Sequence, residues 1–410
     1  MSPGSSRGLL LTLYKAALMA VDGERCIATQ LQARPLDGRV WSVAIGKAAS
    51  AMLAGAFDTL GERLERALLI TQRGHLQGRE FPRCEIREAA HPVPDASSLE
   101  AGQRLVEFMA AAPADIHWLF LISGGTSSLV EVLPEGVSLV DLQRVNQWLL
   151  ASGLPIEAMN AVRQRLSCIK GGRLRDFLGA RPARVLLISD VRGDDPAIIG
   201  SGLLHAAAAA QSLPEQMPAW LMTLINHADA PSATTSAAPI DTEIVARVEQ
   251  ALDAAAALAT TSGYRVFRSR ERLHGDAVVA GQQIAATLIA GAPGVYLWGG
   301  ETTVRLPEQP GQGGRCQQLA LAAAQVLAGQ SGIYLLAAGT DGNDGSGDVA
   351  GACVDGQTLE RGSLDGYDAD RALQQADAGH FLEAAGDLLD TGPTGSNVTD
   401  VVIGLKHADA

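Results

Sequence analysis

Residues 116–128 read IHWLFLISGGTSS. An almost unbroken apolar run stops at Ser123, and glycine, threonine and serine follow at once. A strand solvated on one face alternates apolar and polar residues, whereas a strand covered on both faces is apolar throughout. The run therefore reads as a buried strand that delivers a polar turn at its carboxyl end. The same pattern recurs in VWSVAIGKAAS from Val40, ALLITQRG from Ala67, RVLLISDVRGDDP from Arg184, VYLWGGETT from Val295 and IYLLAAGTDG from Ile333. Helical patterns lie between these runs. One is expected over 97–112, opening on the capping-box spacing Ser97-x-x-Glu100, and another over 156–170, stopped by Gly171-Gly172. Strands alternating with helices argue for an α/β fold of mostly parallel sheets flanked by helices.

A chain of 410 residues has room for two or three domains of roughly 150 residues each. The short-residue, Pro-containing stretch ADAPSATTSAAPIDTE at 228–243 reads as a linker, so two α/β domains are expected, 1–232 (Rossmann-like) and 233–410. Apolar residues make up 47%, enough for real cores, and aromatics only 4%. The net charge of −13 argues against a nucleic-acid protein, whose affinity comes from basic patches. It leaves room for a small anionic ligand held by a few local cations. Five scattered cysteines, Cys26, Cys84, Cys168, Cys316 and Cys353, contain no CxxC pair, so neither a zinc ribbon nor a disulfide framework is expected. Lys15 interrupts the first apolar stretch, which reads as an amphipathic helix and not as a secretory leader; with no membrane span in the sequence, the cytoplasm is the expected location.

In α/β sheets ligands sit outside the carboxyl ends of the strands, and the unusual residues of this chain gather there. Lys47, after a strand and a glycine, offers an ammonium and a helix start to an anion, although the P-loop pattern is absent. Ser123, Gly124, Gly125, Thr126 and Ser127 offer hydroxyls and close backbone approach, or form an ordinary turn. In NAVRQRLSCIKGGRL, Arg163 and Lys170 are spaced to share a helix face and could hold carboxylate or phosphate, or merely complement a helix end. In ISDVRGDDP, Asp190 stands at a strand end to orient a hydroxyl or hold Mg²⁺, while Asp195 caps the helix that follows or binds. Glu301 ends one strand, and Gly313 and Gly314 precede Arg315 at a helix start, a phosphate clamp in outline. The loop GTDGNDGSGD carries Asp341 and Asp344 without the EF-hand spacing, which suits a metal-bound nucleotide or a substrate hydroxyl. Asn397, in TGPTGSNVTD, is a ligand residue or a turn asparagine. His91 reads as structural, and no histidine pair has zinc spacing. The GxGxxG fingerprint of dinucleotide binders is also absent.

Taken together, GKAAS, HPVPDASSLEAG, SGGTSSL, NAVRQRLSCIKGGRL, ISDVRGDDP, GGETTV, GGRCQQLAL, AAGTDGNDGSGDVAGA and TGPTGSNVTD resemble the glycerate 2-kinase family, also called the MOFRL-domain family. The matching stretches run from about residue 8 to the end, with a MOFRL-like region at about 293–405. The resemblance implies ATP- and Mg²⁺-dependent phosphorylation of D-glycerate at its 2-hydroxyl, two α/β domains, and a site in the cleft between them. It makes Lys47 and Arg315 the most consequential cations. It places the acids Asp190, Glu301 and Asp341 nearby; reading the residues themselves, and not the resemblance, we expect Asp190 to be catalytic and Asp190, Asp341 and Asp344 to be the candidate Mg²⁺ ligands. ATP and a small sugar acid are the expected partners of a monomer or homodimer. This chain departs from the family at GSGLLHAAA, residues 200–208, where ASGPT is usual, and at Cys316 and Gln318, where the glycine-rich loop usually continues with Asn and Glu. Two other readings remain open at this level: an NAD(P)H-dependent hydroxypyruvate reductase, and a non-catalytic sugar-acid binding protein.

Overall fold

The computed structural model describes residues 5–76, 78–207, 212–228, 238–345 and 347–408. The chain forms two compact units: Gly23–Val245, and the residues up to Asp22 together with those from Ala246 onward. The expected boundary at 232/233 lies outside the described residues.

In the Gly23–Val245 unit the strands are β1 (Arg39–Ile45), β2 (Leu64–Gln72), β3 (Cys84–Ala89), β4 (Ile116–Ile122), β5 (Ala183–Ile188) and β6 (Ile240–Ala246). Their order is β3-β2-β1-β4-β5-β6. The pairs β2–β3, β1–β2, β1–β4 and β4–β5 are parallel. β4 and β5 are covered on both faces, as an apolar run demands. Trp41, Phe108, Trp118 and Phe120 pack as a tilted and edge-on aromatic group beneath one face. The helix expected over 97–112 runs Ala96–Ala110, and its capping box is made by Asp95 and Ser98, two residues before the pair read in the sequence. The helix expected over 156–170 ends at Arg165.

The other unit contains β7 (Val266–Arg268), β8 (Gly294–Gly300), β9 (Ile333–Gly339), β10 (Gly351–Asp355), β11 (Leu388–Leu389) and β12 (Asp400–Lys406), ordered β11-β10-β9-β12-β8-β7. Here the expectation of a mostly parallel sheet is corrected. β7–β8 is parallel, but β12 runs antiparallel to both β8 and β9, and β10 antiparallel to β9 and β11. The reason is connection length. A parallel return needs a crossover of a dozen or more residues, usually helical, and only residues 340–350 join β9 to β10. β8 and β9 are linked through the helix Arg315–Leu327, and β12 slots between them in the opposite sense.

The first helix, Ser6–Ala20, belongs to this second unit. It packs on the helix Val248–Thr261 and on β9 and β12. Arg7 holds Asp355 at 2.8 Å and Asp387 at 2.6 Å, and the buried Tyr14 hydroxyl donates to the Gly339 carbonyl at 2.5 Å. All five cysteines are free. Among the described residues no helix is long and apolar enough to cross a membrane.

Candidate active site

The order β3-β2-β1-β4-β5-β6 reverses direction between β1 and β4, and in open α/β sheets the ligand crevice lies at the carboxyl ends of those two strands. Lys47 follows β1 and the SGGTSS turn follows β4, so both fall at this switch point. The Lys47 N–H donates to Gly124 O at 3.0 Å, and Ser123 N–H donates to Ile45 O at 3.0 Å. Ser123 Oγ accepts from the Ala48 N–H at 3.1 Å, and Thr126 Oγ1 donates to Ser123 O at 2.7 Å. Ser123 and Thr126 are fully buried. Their hydroxyls, expected to face a ligand, instead lock the β1 and β4 turns together. Gly46 explains itself here: its φ is 127°, and a Cβ would stand 2.2 Å from Ser123 Oγ. Gly125, Ser127 and Lys47 keep partial exposure. A Cβ on Gly125, whose φ is 87°, would meet Lys47 Cγ at 3.2 Å and His91 Cδ2 at 3.4 Å. Lysine, histidine and an open glycine backbone thus meet at one point, which is where an anion would be received.

Lys170 is not part of this surface. It is 1% exposed and ion-paired with Glu131, which is 2% exposed and also accepts from Ser167 Oγ at 2.6 Å. Burial pushes the ammonium below its usual value, and Glu131 opposes that push. The helix ends at Arg165, so Lys170 leaves the face it was expected to share with Arg163. Removing one partner of a buried pair costs about 3–5 kcal/mol because the other charge is stranded. Lys170→Met should lower the unfolding free energy by about that amount in a denaturant titration.

Asp190 follows β5 by one residue and is half-buried. Its neighbours are committed locally: Asp194 accepts from Ser189 Oγ at 2.6 Å, and Asp195 Oδ1 accepts from the Ala197 N–H at 2.9 Å, but in a turn that leads only to the short 3₁₀ segment Ile199–Ser201 and not as the cap of a helix.

In the second unit the antiparallel insertion of β12 determines the site. Its first residue, Asp400, pairs with Gly300 at the end of β8 and with Gly339 at the end of β9. Asp400 therefore sits among the carboxyl-end residues Glu301 and Asp341, and it was not anticipated from the sequence. Arg315 donates to both its oxygens, Nε at 2.6 Å and Nη2 at 2.9 Å, while Nη1 reaches Glu301 at 2.8 Å. Although burial works against the charge, Asp400 and Glu301 raise the Arg315 guanidinium well above its ordinary value. Gly339 lacks the Cβ that would lie 3.1 Å from Asp341 Oδ1 and 3.5 Å from Asp400 Oδ1, leaving room between the two acids. Asn397 is nearly buried in the turn that leads into β12.

Asp344 is corrected. Its carboxylate accepts from the Cys316 N–H at 3.0 Å and the Gln317 N–H at 2.8 Å, so it caps the helix Arg315–Leu327 from outside. With Gln317 Nε2 also donating and only 2% exposure, it has no coordination to offer a metal. Gly314 exists for this contact: a Cβ would stand 2.4 Å from the Asp344 carboxyl carbon. Gly345 likewise could carry no Cβ without meeting Gly313 O at 2.1 Å. The glycines of GQGGR and GTDGNDG let two loops press together, which answers why an aspartate-rich loop should be glycine-rich. Among the described residues no cluster of three His, Cys, Asp or Glu side chains could hold a metal ion.

Burial, then the nearby Asp400, push the Asp344 carboxyl up to about 6. A carboxyl whose folded value lies above its unfolded one stabilises the fold at low pH, and that contribution disappears as pH rises through the folded value. Wild-type unfolding free energy should therefore fall between about pH 4 and 6.5 by an amount on the order of 2–3 kcal/mol that Asp344→Asn does not lose. Equal pH slopes for the two proteins would show that Asp344 titrates normally.

A lysine beside a glycine turn lies at the switch point of one sheet, and an arginine fixed among acids lies at the strand ends of the other, in a protein of the α/β class. Residues 9–218 match the domain of unknown function DUF4147, and residues 294–400 match the MOFRL family. The chain is 35% identical to D-glycerate 2-kinase of Thermotoga maritima across 98% of this chain and 99% of that protein. It is 31% identical to glycerate 2-kinase of Pyrococcus horikoshii, across 96% and 93%. A crystal structure of glycerate kinase from Thermotoga maritima superimposes with a TM-score of 0.81 at 34% identity, covering 97% of this chain and 99% of that one. The chain belongs to the glycerate 2-kinase family, whose members carry the DUF4147 and MOFRL regions.

Proposed function

We propose that the protein transfers the γ-phosphoryl group of ATP to the 2-hydroxyl of D-glycerate, releasing 2-phosphoglycerate and ADP. The observation that carries this reading is Lys47 lying against the Gly124–Gly125 turn at the switch point of the first sheet. Phosphoryl transfer asks for positioning and charge stabilisation more than for covalent chemistry. Lys47 supplies positive charge where the transferring oxygens gather, and the Gly125 backbone approaches closely. Asp190 orients the 2-hydroxyl and takes up its proton. Arg315, rigid in its fork of Asp400 and Glu301, meets the polyphosphate. Asp341 would offer a carboxylate to a nucleotide-borne Mg²⁺, which needs only one or two protein carboxylates beside water and phosphate. The ion would supply charge neutralisation on the phosphates. The setting is the cytoplasm, with the protein as a monomer or homodimer.

The order β3-β2-β1-β4-β5-β6 is also that of dinucleotide-binding folds, so the reductase reading needs its own check. The turn after β1 is Gly46-Lys47-Ala48, without the glycine spacing that admits a pyrophosphate, and absorbance at 340 nm with hydroxypyruvate and NADH should not change. The deciding experiment is ³¹P NMR of the product from ATP, Mg²⁺ and D-glycerate. The 2-phosphoglycerate resonance is expected; 3-phosphoglycerate, or no reaction, would sink the proposal.

A further inference from the structure

Among the described residues, Arg163 is a cation without a counter-ion of its own. The one carboxylate that acts on it, Glu131, is ion-paired with Lys170 and hydrogen-bonded to Ser167. The guanidinium makes a single long bond, from Nη1 to Asn160 Oδ1 at 3.4 Å, and its buried Nε has no acceptor among the described residues. Burial accordingly pushes the group down to about 10. An arginine held away from water without an acid is costly, and an anion arriving from outside removes that cost.

The surroundings say what kind of anion. Ser201 Oγ donates to Asn160 Oδ1 at 2.9 Å, the same oxygen that Arg163 approaches, and it lies 2.7 Å from Ser127 Oγ. A hydroxyl has one proton. Since that of Ser201 goes to Asn160, Ser127 must donate to Ser201, and the Ser127 oxygen is left as an acceptor. The relay is held close by Gly200, where φ is 59° and a Cβ would meet Thr126 Cγ2 at 3.0 Å. One end of the relay thus offers a guanidinium fork, and the other offers an oxygen that accepts a proton. A fully ionised phosphate ester satisfies only the first; a hydroxy acid satisfies both.

We infer that Arg163, Asn160, Ser201 and Ser127 form the subsite that takes the carboxylate of a hydroxy acid on Arg163 and one of its hydroxyls on Ser127. This deepens the reading above and rests on it for the identity of the acid. Arg163 and Ser127 bind; Asn160 and Ser201 are positioning residues.

The test is isothermal titration without nucleotide, with D-glycerate, glycolate, glycerol and inorganic phosphate as probes. Wild type is expected to bind D-glycerate and to bind glycerol far more weakly. Arg163→Met should weaken D-glycerate about 30- to 100-fold, and Arg163→Lys about tenfold, because an ammonium cannot reproduce the fork. Ser127→Ala should weaken D-glycerate about fivefold and glycolate similarly; it also keeps the test decisive if Arg163→Met does not fold. In turnover, KM for D-glycerate should rise while KM for ATP stays, a split that general loosening of the fold would not produce. Arg163 variants within threefold of wild type for D-glycerate, or an Arg163-dependent affinity for inorganic phosphate exceeding that for D-glycerate, would overturn the subsite. Glycolate binding that depends on Arg163 in a protein yielding no phosphoglycerate would uphold the subsite and discard the kinase reading.

Discussion

Arg315→Lys should lower kcat/KM by about 10³-fold, approaching the loss seen when a transition-state arginine is removed from a phosphotransferase. The expectation follows from geometry. Arg315 bridges both oxygens of Asp400 and reaches Glu301 with its third nitrogen. A lysine keeps the charge but has one nitrogen on a flexible stem, so it cannot hold two acids and still meet a phosphate in a fixed orientation. Asp400, 3% exposed, would then face Asp341 without its cation. Much of the loss should appear in kcat, since the charge to be stabilised is greatest in the transition state. A thermal melt must accompany the kinetics, because stranding a buried acid also destabilises the fold by a few kcal/mol. Activity within threefold of wild type in a folded Arg315→Lys protein would remove the residue from the reaction.

Lys47→Ala is expected to lower kcat/KM by at least ~10²-fold with little change in stability. Lys47 is partly exposed, and two bonds donated by backbone N–H groups hold its turn, the Lys47 N–H on Gly124 O and the Ala48 N–H on the Ser123 side-chain Oγ. Alanine preserves both while removing the ammonium. Steady-state kinetics at saturating ATP would measure the effect, and an unchanged melting midpoint would show that the turn survives. Near-wild-type turnover would shift attention to His91 as the group that meets the anion.

Much of this was legible in the residues. All six apolar runs, from β1 at Val40 to β9 at Ile333, are strands, because an apolar run ending in glycine and hydroxyl residues has few other ways to fold. The short or mixed strands β3, β6, β7, β10 and β11 gave no such signal: Cys84–Ala89 is mostly charged or half-exposed, and Leu388–Leu389 is two residues long. Local reading also could not supply direction. The apolar letters of DVVIGL, residues 400–405, suit a strand, but nothing within them says that it runs antiparallel between β8 and β9. Asp400 was missed for that reason, since only its antiparallel entry places it at the carboxyl ends of its neighbours. Lys170 and Asp344 were misread for a related reason. Each is a charged residue in a loop whose partner, Glu131 or the start of the helix Arg315–Leu327, is distant in sequence.

The placement of the helix Ser6–Ala20 with the strands beyond Ala246 makes the Gly23–Val245 unit an insertion. Cutting the chain on either side of that insertion has unequal results. Residues 23–245 can be expressed as one continuous piece, whereas residues 246–410 alone would lack Arg7 and Tyr14, leaving Asp387 without one of its arginines and the Gly339 carbonyl without the Tyr14 hydroxyl. On the ribosome, the amino-terminal helix emerges first and must wait for the last strand, Asp400–Lys406, before its own surroundings exist. A gene that deletes residues 23–245 and joins Asp22 directly to Ala246 would bring those pieces together at once.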